Sequence, residues 1–271
     1  MRGIREMMVD FGRVADQLSW NIRKCTGIGD TARRISELKP LKIGALLKKQ
    51  YKVERLLSWD GRCNHYLTRD IDGRGIFELR EVSDGHDIEV EKEIVSKRLH
   101  HRGLIRRYDF FVEDSRSYVV LAYERGPDLD QARTILSDRT LLSIAFNLAD
   151  TLDFLHRHWM AHVNLSTANI MVTGETQRIA DLSSCRLFKP PSTEGFREAR
   201  KEDFLKLLDL LERLILRDVE ESGNPSLLPF IKGFEELMGT PPISADDFKE
   251  GLFQCHIMEV TRRDGEMRFV D

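Results

Sequence analysis

No apolar run in the 271-residue sequence approaches the ~20 residues a membrane-spanning helix needs, so no membrane association is expected. The amino end lacks the apolar core and small-residue cleavage site of a signal peptide, and the expected location is the cytoplasm. No charge excess is present: 42 basic residues stand against 45 acidic ones, a net charge of −3, so neither nucleic acid nor an anionic membrane is an expected partner. Arg102, Arg106 and Arg107 form a basic run short enough to read as a solvated face. Cysteine is scarce and scattered. Cys25, Cys63, Cys185 and Cys255 contain no CxxC pair, which argues against a zinc site or a disulfide framework and for unpaired thiols. Internal repeats and low-complexity linkers are missing too. What remains, 41% hydrophobic and 32% charged residues, suits a soluble globular chain with a substantial core.

The patterning changes character along the chain. Met7, Phe11, Val14, Leu18 and Ile22 recur at helical spacing, and Asp30 can cap a second short helix that Pro40 closes. Residues 51–57, 65–69 and 75–82 read as strands, divided by the turn signals Asp60-Gly61 and Asp72-Gly73. A helix is predicted at about 87–99, then strands at 105–112 and 117–123. Beyond residue 130 the pattern is helical, with Leu141, Ile144, Leu148, Leu152 and Leu155 in one stripe. Residues 169–172 and 177–180 predict a small hairpin around Gly174. Residues 202–217 are apolar on nearly every side, as a central helix would be. Helices are predicted at 226–238 and 245–253, and a hairpin within 257–270.

The run from Phe154 to Val172 carries a specific signal. It contains His162-Val163-Asn164-Leu165-Ser166-Thr167-Ala168-Asn169 between a helix and a strand, and Ala180-Asp181-Leu182-Ser183 follows. It resembles the catalytic loop of protein kinases, H-R-D-L-x-x-x-x-N, and the D-F-G that follows it. The resemblance spans roughly residues 41–253 and extends to bacterial Ser/Thr kinases at Leu41–Leu57. Phe77-Glu78-Leu79-Arg80 stands where V-A-I-K belongs, and Tyr118–Tyr123 resembles the hinge strand with Leu121 as gatekeeper. It implies an α+β, bilobal protein-kinase-like fold. The N-lobe would be a five-stranded antiparallel sheet with one helix, and the C-lobe mainly helical and shortened. The domain reading is a helical extension at 1–40, an N-lobe at 41–125, a reduced C-lobe at 126–255 and a tail at 256–271.

Against that pattern several parts are replaced. The glycine-rich loop becomes Ser58-Trp59-Asp60-Gly61-Arg62-Cys63, which loses the close backbone approach glycine allows. The strand lysine is Arg80, and Glu78 on the same strand face is expected to pair with it. His65 stands where a small apolar residue usually covers adenine. The regulatory-helix glutamate stays ambiguous, because the count from His101 lands on Lys92 between Glu91 and Glu93. Asn164 replaces the catalytic aspartate, while Asn169 and Asp181 remain as vestigial metal positions. Asp203 resembles the aspartate opening the central C-lobe helix, only 21 residues separate it from Asp181, and A-P-E is missing. The arginine that pairs with A-P-E is represented by Ile243.

These losses lead to the expectation of a pseudokinase without Ser/Thr kinase activity. Such a domain would hold no cofactor, have Ser58, Asp60, Cys63, His65, Glu78, Arg80 and Leu121 lining a closed cleft with Arg80 also near Asp181, and bind ATP no better than about millimolar. It would act as a scaffold or regulator in signalling, on a protein partner such as an active kinase or a phosphatase. The alternatives are a weak or unconventional ATP-dependent phosphotransferase using Asp181, Asn169 and Arg80, or a nucleotide-binding sensor.

Overall fold

The computed structural model describes residues 39–59, 63–82, 88–132, 137–173, 176–191, 193–223 and 225–254. The helices expected before Pro40, the hairpin expected at 257–270, and Asp60 lie outside these residues. The chain divides into two compact units, Met1–His86 with Arg107–Tyr123, and Asp87–Arg106 with Glu124–Asp271.

The first unit is built on one antiparallel sheet. Its strands are β1 (Leu46–Leu47), β2 (Tyr51–Trp59), β3 (Cys63–Asp70), β4 (Ile76–Val82), β5 (Arg107–Glu113) and β6 (Arg116–Ala122), in the order β1-β2-β3-β4-β6-β5. The sheet thus has six strands where five were expected. The extra strand pairs Leu46 with Lys52 and Leu47 with Tyr51, through a turn at Lys48 and Lys49 with φ of 49° and 53°. Lysine is not the residue that such a left-handed turn usually carries. Contacts distant in sequence hold it: the Lys48 amide donates to Glu113 Oε2 at 2.7 Å, and its ammonium meets Asp109 at 2.6 Å. The turn at Asp72-Gly73 is as the sequence suggests, with Gly73 at φ 71°. Tyr51, Val53, Tyr66, Leu79, Phe111, Tyr118 and Val120 form the core on one face of this sheet. Glu81, wholly buried, accepts from Asn64 and from the Tyr66 hydroxyl, each at 2.7 Å, and pairs with Arg116. That hydroxyl accepts in turn from the Leu41 amide at 2.9 Å, which ties the chain entering the sheet to its core.

The second unit is mainly helical. Its elements are α1 (Glu89–Ser96), α2 (Asp138–Arg157), α3 (Thr193–Ser222), α4 (Pro229–Gly239) and a further helix, α5, over 245–254. Ser137 caps α2 by accepting from the Thr140 amide at 3.1 Å, and the stripe read from the sequence is buried. Helix α1, counted with the first lobe in the sequence reading, groups with the second unit because Val90 and Ile94 join that unit's core. The two-stranded pairs β7 (Met160–Ala161) with β10 (Arg186–Leu187), and β8 (Ile170–Thr173) with β9 (Thr176–Ile179), complete it. No described helix is long and apolar enough to cross a membrane.

Two expectations are corrected here. Asp203 does not open the central helix: α3 begins at Thr193, so Asp203 lies inside it, and the stretch after Asp181 turns helical sooner than the apolar pattern indicates. The early turns carry Glu, Arg and Lys beside the buried Phe196 and Ala199, so their amphipathic character is masked by the wholly apolar run that follows. Arg107 is not on a solvated face but 3% exposed in β5, whereas Arg102 is exposed.

Candidate functional site

In the second unit the loop between α2 and β8 is held from the inside of α3. Asp203 is completely buried and uses both carboxylate oxygens. Oδ1 accepts from the Val163 amide at 2.6 Å, while Oδ2 accepts from the His162 amide at 2.9 Å and from His156 Nε2 at 2.8 Å. This clamp holds Val163 at φ 52°, a conformation that a β-branched residue seldom adopts. Such strain persists only where the surroundings impose it, and it clusters at functional sites.

His162 connects this loop to the segment that follows β9. Its Nε2 lies 3.0 Å from the Asp181 carbonyl oxygen, which can only accept, so Nε2 carries the hydrogen and Nδ1 does not. Burial pushes the His162 pKa below its usual value, and the opposing charges of Asp203 and Asp181 do not reverse this. The imidazole is therefore neutral near pH 7. The consequence for stability has a definite sign. An unfolded histidine takes a proton below about pH 6.5, before the folded one does, so stability declines as pH falls through that value. The slope is at most about 1.4 kcal/mol per pH unit for one proton. We expect melting temperature to drop between pH 7.5 and 5.5, and to drop less in His162→Asn. His101, whose pKa burial and Arg102 also lower, contributes in both proteins. Equal pH dependence of the two would refute the assignment.

Asn164, Asn169 and Asp181 come together around this loop. Asn169 Nδ2 donates to the Asn164 carbonyl oxygen at 3.0 Å, which commits the amide nitrogen to the backbone and leaves the amide oxygen as the atom that could ligate a metal. The Asn169 carbonyl accepts from the Ala180 amide at 2.8 Å, placing Asp181 next to it in the fold. Asp181 accepts from the Ser183 amide at 3.0 Å and the Ser183 hydroxyl at 2.9 Å. Leu182, where the family carries phenylalanine, is fully buried in the unit's core. One carboxylate and one amide oxygen are hard donors that suit magnesium, which binds through one or two carboxylates and substrate phosphates. Among the described residues, no cluster of three or more His, Cys, Asp or Glu side chains could hold a metal without such help. Asn164 is exposed, its Nδ2 3.4 Å from Ser184 Oγ. Arg200 on α3 donates to the Ile243 carbonyl, so among the described residues this corner is tied by a backbone acceptor. Of the two ambiguous glutamates on α1, Glu91 is buried at 4% exposure, while Glu93 pairs with Lys97.

In the first unit Glu78 and Arg80 share one face of β4, as expected, but their contact is loose at 3.9 Å. The close partner of Glu78 is His65, whose Nδ1 lies 2.7 Å from Glu78 Oε1. The sequence reading placed both residues but did not pair them, because the pairing depends on register: His65 faces Arg80 and Leu67 faces Glu78, so His65 and Glu78 meet diagonally. Burial acts to raise the Glu78 pKa. The hydrogen bond from His65 and the charges of His65, Arg80 and Arg107 outweigh it, so the carboxyl titrates below its ordinary value. Cys63 Sγ lies 3.4 Å from His65 Nε2. Ser58 pairs with His65 across β2 and β3, and Leu121 on β6 is buried opposite Glu78 and Arg107. Arg80 belongs to the first unit and Asp181 to the second.

Residues 67–202 match the family model described as "Protein kinase domain". The chain is 23% identical over 184 residues to the "Probable serine/threonine-protein kinase YbdM" of Bacillus subtilis, covering 64% of this chain and 72% of that protein. It is 22% identical over 220 residues to "Aurora/IPL1-related protein kinase 2" of Caenorhabditis elegans, covering 77% and 70%. Among solved structures it is similar to a cysteine-to-alanine mutant of the PknI kinase domain of Mycobacterium tuberculosis, with a TM-score of 0.60 and 18% identity over 80% of this chain and all of that one. The structure of vaccinia related kinase 3 gives 0.57 and 16%, over 84% and 95%.

These findings overturn the expectation of a domain without kinase activity: the family match and the relatives named as kinases point to a kinase enzyme. The physical reason the sequence misled is visible in the loop. Phosphoryl transfer depends mostly on positioning and charge stabilisation. The replacements remove individual side chains, whereas the bracing by Asp203 and His162 and the pair Asn169 and Asp181 are in place.

Proposed function

The chain belongs to the protein kinase domain family, and on that premise we propose that it is an ATP-dependent phosphotransferase of unconventional catalytic-loop chemistry, acting on a protein hydroxyl. The observation that carries this reading is the convergence of Asn169 and Asp181 on a loop clamped from beneath by Asp203. Asn169 and Asp181 would hold the divalent cation, which would supply neutralisation of the phosphate oxygens. Neutral His162 keeps the Asp181 backbone in register with the loop. Asn164 occupies the position of the general base. An amide oxygen accepts a hydrogen bond from the attacking hydroxyl and orients it, but does not take its proton as a carboxylate does. The rate is therefore expected to be low without being zero.

The test is phosphate transfer from labelled ATP, with magnesium or manganese, to the chain itself and to a generic protein substrate. We expect transfer that disappears in Asp181→Ala. Incorporation no greater than in that variant, under either metal, would remove the reading.

A further inference from the structure

Cys63, His65 and Glu78 form a chain of contacts that phosphoryl transfer does not need. Cys63 and His65 are two residues apart on β3 and so project from the same face. Cys63 Sγ meets His65 Nε2 at 3.4 Å, and the opposite ring nitrogen meets Glu78 Oε1 at 2.7 Å. A nucleophile within reach of a base, and the base oriented by a third group, is the arrangement that activates a side chain. The carboxylate is suited to its part. Glu78 is held ionised, with Arg80 at 3.9 Å and Arg107 contributing to its field. A Glu78 carboxylate on Nδ1 fixes that nitrogen as the donor and leaves Nε2 to receive the thiol proton. Burial separates the two thiols of the described residues: Cys185 is 2% exposed inside the second unit's core, whereas Cys63 is only partly covered.

We propose that Cys63 is a reactive thiolate and a modification site for hydroperoxides, with His65 taking its proton and Glu78 positioning His65. The thiolate sulfur attacks the terminal oxygen of the hydroperoxide. An S–O bond forms, the O–O bond breaks, and the departing hydroxide or alkoxide collects the proton from the His65 imidazolium. Sulfur is oxidised by two electrons to the sulfenic acid and the peroxide is reduced to water or an alcohol. Thiolate character next to a protonated histidine is what makes this step site-selective.

The full chain is tested with two probes, each read by peptide mass spectrometry at Cys63. With iodoacetamide, the alkylation rate of the wild type is expected to stay nearly flat from pH 8 down to pH 6. An ordinary thiol, titrating near about 8.5, loses about tenfold per pH unit there. His65→Ala is expected to slow alkylation at pH 7 by at least about tenfold, since a free thiol is only a few per cent ionised at that pH, and Glu78→Gln to give an intermediate rate. With hydrogen peroxide and a sulfenic-acid trap, the adduct should form at Cys63 and be lost in His65→Ala. A wild-type rate that falls like that of an ordinary thiol overturns the proposal, whether or not the variants fold. So does a trapped adduct that forms equally fast in His65→Ala, or none at Cys63 in the wild type.

Discussion

Asn164→Asp is expected to raise phosphate transfer by roughly 10²–10⁴-fold, the range that positioned proton transfer contributes. The backbone at this position is held independently of the side chain that changes. The Asn164 amide donates to the His162 carbonyl at 2.7 Å, and the Asn164 carbonyl accepts from Asn169 Nδ2 at 3.0 Å. The side chain itself is exposed, with one long contact to Ser184. Exchanging the amide for a carboxylate thus alters the chemistry at one position while leaving the loop in place. Stability should stay within about 0.5 kcal/mol of the wild type, as surface substitutions usually do. Single-turnover transfer from labelled ATP measures the gain directly. A folded Asn164→Asp protein no faster than the wild type would show that residue 164 does not face the acceptor hydroxyl.

Asp203→Ala is expected to cost at least about 3 kcal/mol of folding stability. Three donors lose their acceptor at once: the amides of His162 and Val163 and Nε2 of His156. Each buried polar group left without a partner costs about 1–3 kcal/mol. Without the clamp, nothing holds the Val163 backbone at φ 52°. Any Asp203→Ala protein that still folds should have lost phosphate transfer as well, because Asn164 and Asn169 follow directly from the released turn. Denaturant unfolding gives the first quantity. A loss below about 1 kcal/mol, within the worth of a single ordinary hydrogen bond, would mean that the clamp does not carry the loop.

The match between pattern and element is close where one local rule acts alone. The stripe Leu141, Ile144, Leu148, Leu152 and Leu155 lies on one buried face of α2. The turn at Asp72-Gly73 follows because glycine takes a positive φ without strain. The loop holding His162, Asn164 and Asn169 is recognisable because its residue types recur at fixed spacing between a helix and a strand. Local rules fail where distant groups decide. Lys48 and Lys49 turn left-handed because Asp109 and Glu113, some sixty residues on, hold Lys48. Arg107 reads as one of a solvated basic run, but a position on β5 buries it. The inference from missing side chains to missing activity failed for a related reason. A sequence shows which groups are replaced, but not how firmly the remaining groups are held.

By itself, then, the amino-acid sequence determined the order and type of most of the described elements, the kinase-like loop and the identities of the groups displayed on it. Periodicity and turn chemistry are properties of neighbouring residues. Tertiary structure alone decided which of those groups meet. Asp203 stands forty residues beyond Val163, yet its carboxylate sets the conformation of that loop. His65 is matched to Glu78 only once β3 and β4 pair in a particular register, since a shift of one residue would turn the two side chains to opposite faces. Hydrogen bonds and charges act through distances of a few ångströms, and in a folded chain those distances are set by packing and not by sequence separation.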